Sequence, residues 1–168
     1  YAGPKTPFVL SHGWGMSSRV WVDVIEQLLR AGHEVLAVDH RACGQSDRDF
    51  DDMSIGALAG DIVDIARARK LRPAIVNGWS LGGAVAVEAA HRLGKDAAGL
   101  ILTCAASPRY VQAADFPYGG VREDVLGMQD AILADRAGFF KGLSAGVCAK
   151  DVGQPAIDWM WSIFMDAG

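Results

Sequence analysis

The chain has 168 residues, 51% of them hydrophobic, and a formal net charge of −4, enough to bury one sizeable core. Its charges are mixed in sign along the sequence, without the basic stripe that a nucleic-acid partner requires, and charges such as Asp61, Asp64 and Glu88 interrupt every apolar run before the ~18 residues of a membrane span. Three widely spaced cysteines, Cys43, Cys104 and Cys148, have no metal-like pairing and read as reduced thiols of a cytoplasmic protein, so neither a metal nor a cofactor is expected.

Pro7 to Ser11 is a short apolar run closed by His12-Gly13, as in a buried strand of a parallel sheet. From Ser18 onward Trp21, Val24, Ile25, Leu28 and Leu29 recur at helical spacing, with Ser17 or Ser18 as N-cap and Gly32 past the end. His33 to Asp39 reads as a second strand, and Ile55, Leu58, Ile62 and Ile65 mark a second helix that Ser54 or Asp52 caps. Ala74 to Asn77 is a third strand. Leu81 to Leu93, rich in small residues and ended by Gly94, suits a helix lying close to a sheet, and Gly99 to Cys104 is a fourth strand. Strand and helix alternate throughout, which predicts an α/β fold: a parallel sheet with right-handed crossovers and helices on both faces. After about Arg109 the alternation stops at the turn-rich Phe116-Pro117-Tyr118-Gly119-Gly120, and helical patterns follow around 121–134, 136–149 and 155–167. Residues 1–112 are therefore read as the α/β core and 113–168 as a helical cap, whose Phe139, Phe140, Trp159, Trp161 and Phe164 must bury an aromatic face.

The chemistry concentrates at Gly78-Trp79-Ser80-Leu81-Gly82-Gly83, where a strand runs through Gly-x-Ser-x-Gly directly into a helix. The pentapeptide alone is weak in a glycine-rich chain; the strand-turn-helix setting gives it meaning. A turn that sharp holds Ser80 strained and pushes its hydroxyl into the cleft, while Gly78 and Gly82 remove side chains that would collide. The helix beginning at Leu81 aims its N–H groups and dipole at the same place, which makes the Leu81 N–H a donor for a tetrahedral oxyanion. His12-Gly13-Trp14-Gly15 lets a second loop swing its backbone inward, so the Trp14 N–H is the other expected donor. An ordinary capping serine and a plain glycine loop are the competing structural readings. Trp14 and Trp79 are candidate walls of an apolar substrate pocket, a role aromatic residues share with plain core packing.

On SHGWG (11–15) and GWSLGG (78–83) the chain resembles the α/β-hydrolase superfamily over nearly its whole length, and within it the branch of small serine esterases, cofactor-free haloperoxidases and enol-lactonases. The resemblance implies Ser80 as nucleophile, an oxyanion hole from Trp14 and Leu81, and a small ester, lactone or thioester as substrate. Asp39 to Ser46 matches the family's loop after the second strand, except that Ala42 stands where glycine is expected. It also implies a strand order 2-1-3-4, and an acid and a histidine following the serine in the chain. Neither partner is in evidence. Of the four histidines, His12 belongs to the glycine loop, His33 opens a strand, His40 lies in the next loop and His91 near the end of a helix. The acid and histidine are therefore expected beyond residue 168, in a natural protein of roughly 250 residues or more. The 168-residue chain alone is expected to be nearly inactive. Tyr1, with no leader after it, is not expected to be the natural start. Acyl transfer to peroxide or alcohol on the same scaffold, and a non-catalytic ligand-binding protein, are the alternatives. Arg19, Arg41 and Arg109 are candidates for recognising a substrate carboxylate, though lone arginines usually face solvent.

Overall fold

The computed structural model describes residues 4–168, so the expectation about the start at Tyr1 lies outside it. The alternating pattern becomes β1 (Lys5–Ser11), α1 (Val22–Arg30), β2 (His33–Val38), α2 (Ile55–Ala68), β3 (Ala74–Trp79), α3 (Leu81–Leu93) and β4 (Ala97–Thr103). Three further helices follow: α4 (Arg122–Ala134), α5 (Arg136–Gly146) and α6 (Gln154–Met165). The four strands form one parallel sheet, as their alternation with helices predicts, in the order β2-β1-β3-β4 that the resemblance implies.

Strand periodicity sorts the side chains into two cores. Val9, Val38, Ala74 and Val76 point to one face and are covered by Leu58, Ile62, Val63 and Ala66 of α2 and Val85, Ala86 and Ala89 of α3. Leu10 and Val35 point to the other, where Trp21 and the apolar stripe Val24, Ile25, Leu28 and Leu29 of α1 meet them. Ser54 caps α2 in the ordinary way: its backbone is extended (φ −64°) and its hydroxyl accepts the Ala57 N–H at 3.2 Å. Helix α1 starts one turn later than its apolar periodicity suggests, because Ser18–Trp21 is wound as a 3₁₀ turn.

The described residues form two compact units, one of residues 4–107 with Ala167–Gly168 and the other Pro108–Asp166. The second has its own small core. Phe164 is 2% exposed and stacks on Phe140 with ring centroids 4.8 Å apart, while the Trp161 Nε1–H donates to the Ala137 carbonyl at 2.9 Å.

Within the first unit the helix after β1 lies on one face of the sheet and the helix after β3 on the other, although β1 and β3 are neighbours. A parallel sheet has its natural crevice at such a divergence, beyond the strands' C-terminal ends. Ser11 is in register with Gly78, so the segments starting at His12 and Ser80 leave the sheet side by side.

Candidate active site

One residue, Ser80, separates β3 from α3, and the chain must reverse its course there. It does so with Ser80 at φ +55°, ψ −122°. Its backbone is held on both sides: the N–H donates to the Thr103 carbonyl at 3.1 Å, and its own carbonyl accepts from Gly83 at 2.9 Å and Ala106 at 2.8 Å. The hydroxyl makes no capping bond to the helix. Ser54 and Ser80 thus start two helices of the same protein in opposite ways. Ser54 spends its hydroxyl on the helix in a relaxed backbone, whereas Ser80 sits where a side chain costs ~1–2 kcal/mol and leaves its hydroxyl out of the cap.

The glycines around it are required by close approach. A Cβ on Gly78 would strike the Gly82 carbonyl oxygen, and one on Gly82 the carbonyl oxygens of Ser11 and His12. The start of α3 therefore lies directly against the end of β1. A Cβ on Gly13 would stand 3.0 Å from the Trp79 ring and 3.3 Å from Ser80 Cβ, which places the His12–Gly15 loop against the serine. Leu81 is the first residue of α3, where N–H groups have no partner inside the helix. Trp14, next to Gly13, is 45% exposed. Trp79 is half-buried against the Leu10, Trp21 and Val35 cluster, so its ring belongs largely to the core.

The loop after β2 is organised by Asp39. Its carboxylate accepts the Ser18 N–H at 2.6 Å and the Gln45 N–H at 2.9 Å, and the Ser46 hydroxyl donates to its backbone carbonyl at 2.7 Å. Burial opposes the charge, but the hydrogen bonds from Gln45 and Ser18 outweigh it and hold the carboxyl below its usual range. Arg41 is engaged as well. Its guanidinium donates to both carboxylate oxygens of Asp61, at 2.6 and 2.8 Å, donates to the Asp52 carbonyl at 2.7 Å, and lies over the Phe50 ring. Arg109 likewise pairs with Asp115 at 2.9 Å. These arginines hold loops together. Phe164, one of the aromatic residues expected to bury a face, is core of the second unit, and Trp159 is 37% exposed there.

Ala42, standing where the resemblance leads one to expect glycine, has φ +58°. We expect Ala42→Gly to raise stability by about 0.5 kcal/mol, since relief of ~1–2 kcal/mol of left-handed strain exceeds the ~0.4–1 kcal/mol that glycine's freedom costs. A denaturant midpoint that rises at constant slope would show it, and a fall would mean the turn tolerates the methyl without strain.

None of the four histidines is hydrogen-bonded to the Ser80 side chain. His33 opens β2, at the opposite end of the sheet, and its Nδ1–H donates to the Thr6 carbonyl at 2.8 Å. His91 lies eleven residues along α3, about 16 Å at 1.5 Å per residue. His12 is wholly buried with both ring nitrogens committed: Nδ1 donates to the Gly13 carbonyl at 2.8 Å and Nε2 accepts the His40 N–H at 2.9 Å. His40 is buried beside it, ring centroids 4.3 Å apart, and its Nε2 bonds to the Ser11 hydroxyl at 3.0 Å. Burial lowers both affinities for a proton, that of His40 to a pKa of about 3 with a further push from His12, so both rings are neutral at pH 7. The sequence does not foretell this pairing. Its only signal is a histidine just beyond the end of each of two strands that turn out to be neighbours.

Among the described residues no group of His, Cys, Asp or Glu is arranged to hold a metal ion, and no helix is long and apolar enough to cross a membrane. A sequence model of the alpha/beta hydrolase fold matches residues 6–155. The "AB hydrolase superfamily protein YisY" of Bacillus subtilis is 29% identical over 98% of this chain and 62% of its own length. The pimeloyl-[acyl-carrier protein] methyl ester esterase of Sodalis glossinidius is 37% identical over 70% of this chain and 42% of its own. An esterase from Exiguobacterium antarcticum superposes with a TM-score of 0.93 at 28% identity, over 98% of this chain and 62% of that structure. The chain spans less than two thirds of the length of each of these proteins. With both its sequence and its sheet accounted for in this way, the chain belongs to the α/β-hydrolase fold family.

Proposed function

We propose that this chain carries the nucleophile half of a serine hydrolase, which cleaves a small ester, lactone or thioester through an acyl-enzyme on Ser80. The observation that carries the reading is the backbone of Ser80, at φ +55° with its hydroxyl unused as a cap. Strain of that kind persists only where the surroundings enforce it, and it clusters at reactive sites. In the proposed reaction Ser80 Oγ attacks the substrate carbonyl carbon and its proton passes to a general base. The carbonyl oxygen becomes an oxyanion facing the N–H groups of Trp14 and Leu81 and the positive end of α3. The tetrahedral intermediate collapses, expelling the alcohol or thiol with a proton, and water then releases the acid from the serine. The positions and engagements of His12, His33, His40 and His91 leave the base and its orienting acid to residues outside these 168. The second unit is proposed as a cap that selects substrates without doing chemistry. That two of the relatives are named esterases supports an ester substrate.

Labelling tests the reading. In the full-length protein a fluorophosphonate, which mimics the acyl carbonyl and traps the attacking oxygen, should add once, and peptide mapping should find it on Ser80. Addition at another residue, or none, would overturn the assignment. Supplying peroxide or an alcohol with the ester and identifying the products distinguishes transfer to those acceptors from hydrolysis.

A further inference from the structure

The buried hydrogen bonds beneath the glycine loop go further than tying two strands together. The Gly13 carbonyl and the Trp14 N–H belong to one peptide group, which is planar and trans, so the two point in opposite directions. Whatever holds the carbonyl therefore sets the direction of the N–H. The Gly13 carbonyl has two donors on it, the His12 Nδ1–H at 2.8 Å and the Met16 N–H at 3.2 Å. The shorter bond depends on a choice of tautomer, because a neutral imidazole carries one proton and must be a donor at one nitrogen and an acceptor at the other. That choice is made from behind: the His40 backbone N–H donates to His12 Nε2 at 2.9 Å, which keeps this nitrogen unprotonated and puts the proton on Nδ1. The chain His40 N–H, His12 ring, Gly13 carbonyl runs through buried residues.

We infer that His12 is a positioning residue for catalysis: with its tautomer set by the His40 N–H, its Nδ1–H pins the Gly13 carbonyl and so holds the Trp14 N–H in the orientation an oxyanion requires. The inference rests on the proposed role of Ser80 and of the Trp14 N–H. His12 itself touches neither substrate nor nucleophile, and acts through the peptide group alone.

The two ring nitrogens can be removed separately. An asparagine amide reaches about where Nδ1 lies, and a glutamine amide about where Nε2 lies. In the full-length protein, His12→Asn keeps a donor for the Gly13 carbonyl and leaves the buried His40 N–H unpaired. His12→Gln does the reverse. The expected result is a crossed ranking: His12→Asn retains kcat for an activated ester within about threefold, whereas His12→Gln loses about 10–100-fold in kcat with KM changed little. That loss is a fraction of the 10²–10³ carried by a complete oxyanion donor, since Met16 still holds the carbonyl. Thermal melting should rank them the other way, with His12→Asn the less stable. A merely structural histidine would make activity follow stability, so equal losses of kcat, or the larger loss in His12→Asn, would overturn the inference. If either variant fails to fold, Nδ1-methylhistidine at position 12 keeps the ring and the Nε2 acceptor while deleting the donor. It should reproduce the loss expected of His12→Gln, and full activity would overturn the inference. Ser80→Ala, measured alongside, separates the two ideas: if it retains turnover the nucleophile assignment falls, and if it abolishes turnover while the His12 variants do not cross, only the positioning role falls.

Discussion

Ser80→Ala and Ser80→Gly, made in the full-length protein, should each reduce ester turnover by about 10⁴-fold or more, yet Ser80→Gly should melt at the higher temperature. Both variants lose the hydroxyl, so both lose the acyl-enzyme route, and the residual rate is what an oxyanion hole and substrate binding supply. They differ from each other only by a methyl group. At φ +55° that methyl costs ~1–2 kcal/mol, while glycine's extra freedom in the unfolded chain returns ~0.4–1 kcal/mol to the alanine variant. The balance favours glycine. At Ser54, with φ −64°, the same comparison carries no such strain, which makes it an internal control for the argument. Retained turnover in either Ser80 variant would remove the serine from the chemistry. A glycine variant melting clearly below the alanine variant would mean that the Ser80 backbone is relaxed.

Gly82→Ala should be among the most damaging small substitutions near the site, lowering stability by about 3 kcal/mol or more and abolishing activity with it. The added Cβ would fall on two backbone oxygens at once, those of Ser11 and His12. Neither can turn aside as a flexible side chain would, because Ser11 ends a paired strand and the next residues form the glycine loop. The first turn of α3 would have to lift away from β1, which moves the Leu81 N–H and Ser80 together. Gly127, inside α4, is a matched control. A Cβ there would meet nothing within 4 Å, and alanine in a helix interior is favoured over glycine by ~1 kcal/mol, so Gly127→Ala should stabilise. Urea titration of the two variants measures both effects. If Gly82→Ala unfolded with the parent's midpoint, the close seating of α3 on β1 would be wrong.

Much of the fold was legible in the residues themselves, because local patterning and the sheet agree. The runs ending at Ser11, Val38, Trp79 and Thr103 are short, apolar and separated by helical periodicities, and crossovers of that length leave a parallel sheet as the natural arrangement. Ser54 was one of two candidate caps for α2, and the three later helices lie within a few residues of their apolar patterns. The strained serine was legible for a similar reason: a strand that becomes a helix across one residue, with glycine two places on either side, has few other ways to turn.

What the sequence by itself determined, then, is the order of elements, the parallel sheet and the position of the sharp turn, all set by periodicity and by residues within a few places of one another. Only the tertiary structure decided which groups are already occupied. Arg41, an apparent cation for a substrate, is consumed by Asp61, twenty residues along the chain, and Phe164 is consumed by Phe140. His12 and His40, separated by 28 positions, become one hydrogen-bonded pair because β1 and β2 lie side by side. A hydrogen bond or an ion pair depends on distances of a few ångströms between residues far apart in the chain. Such distances follow from packing and leave no period in the sequence to be read.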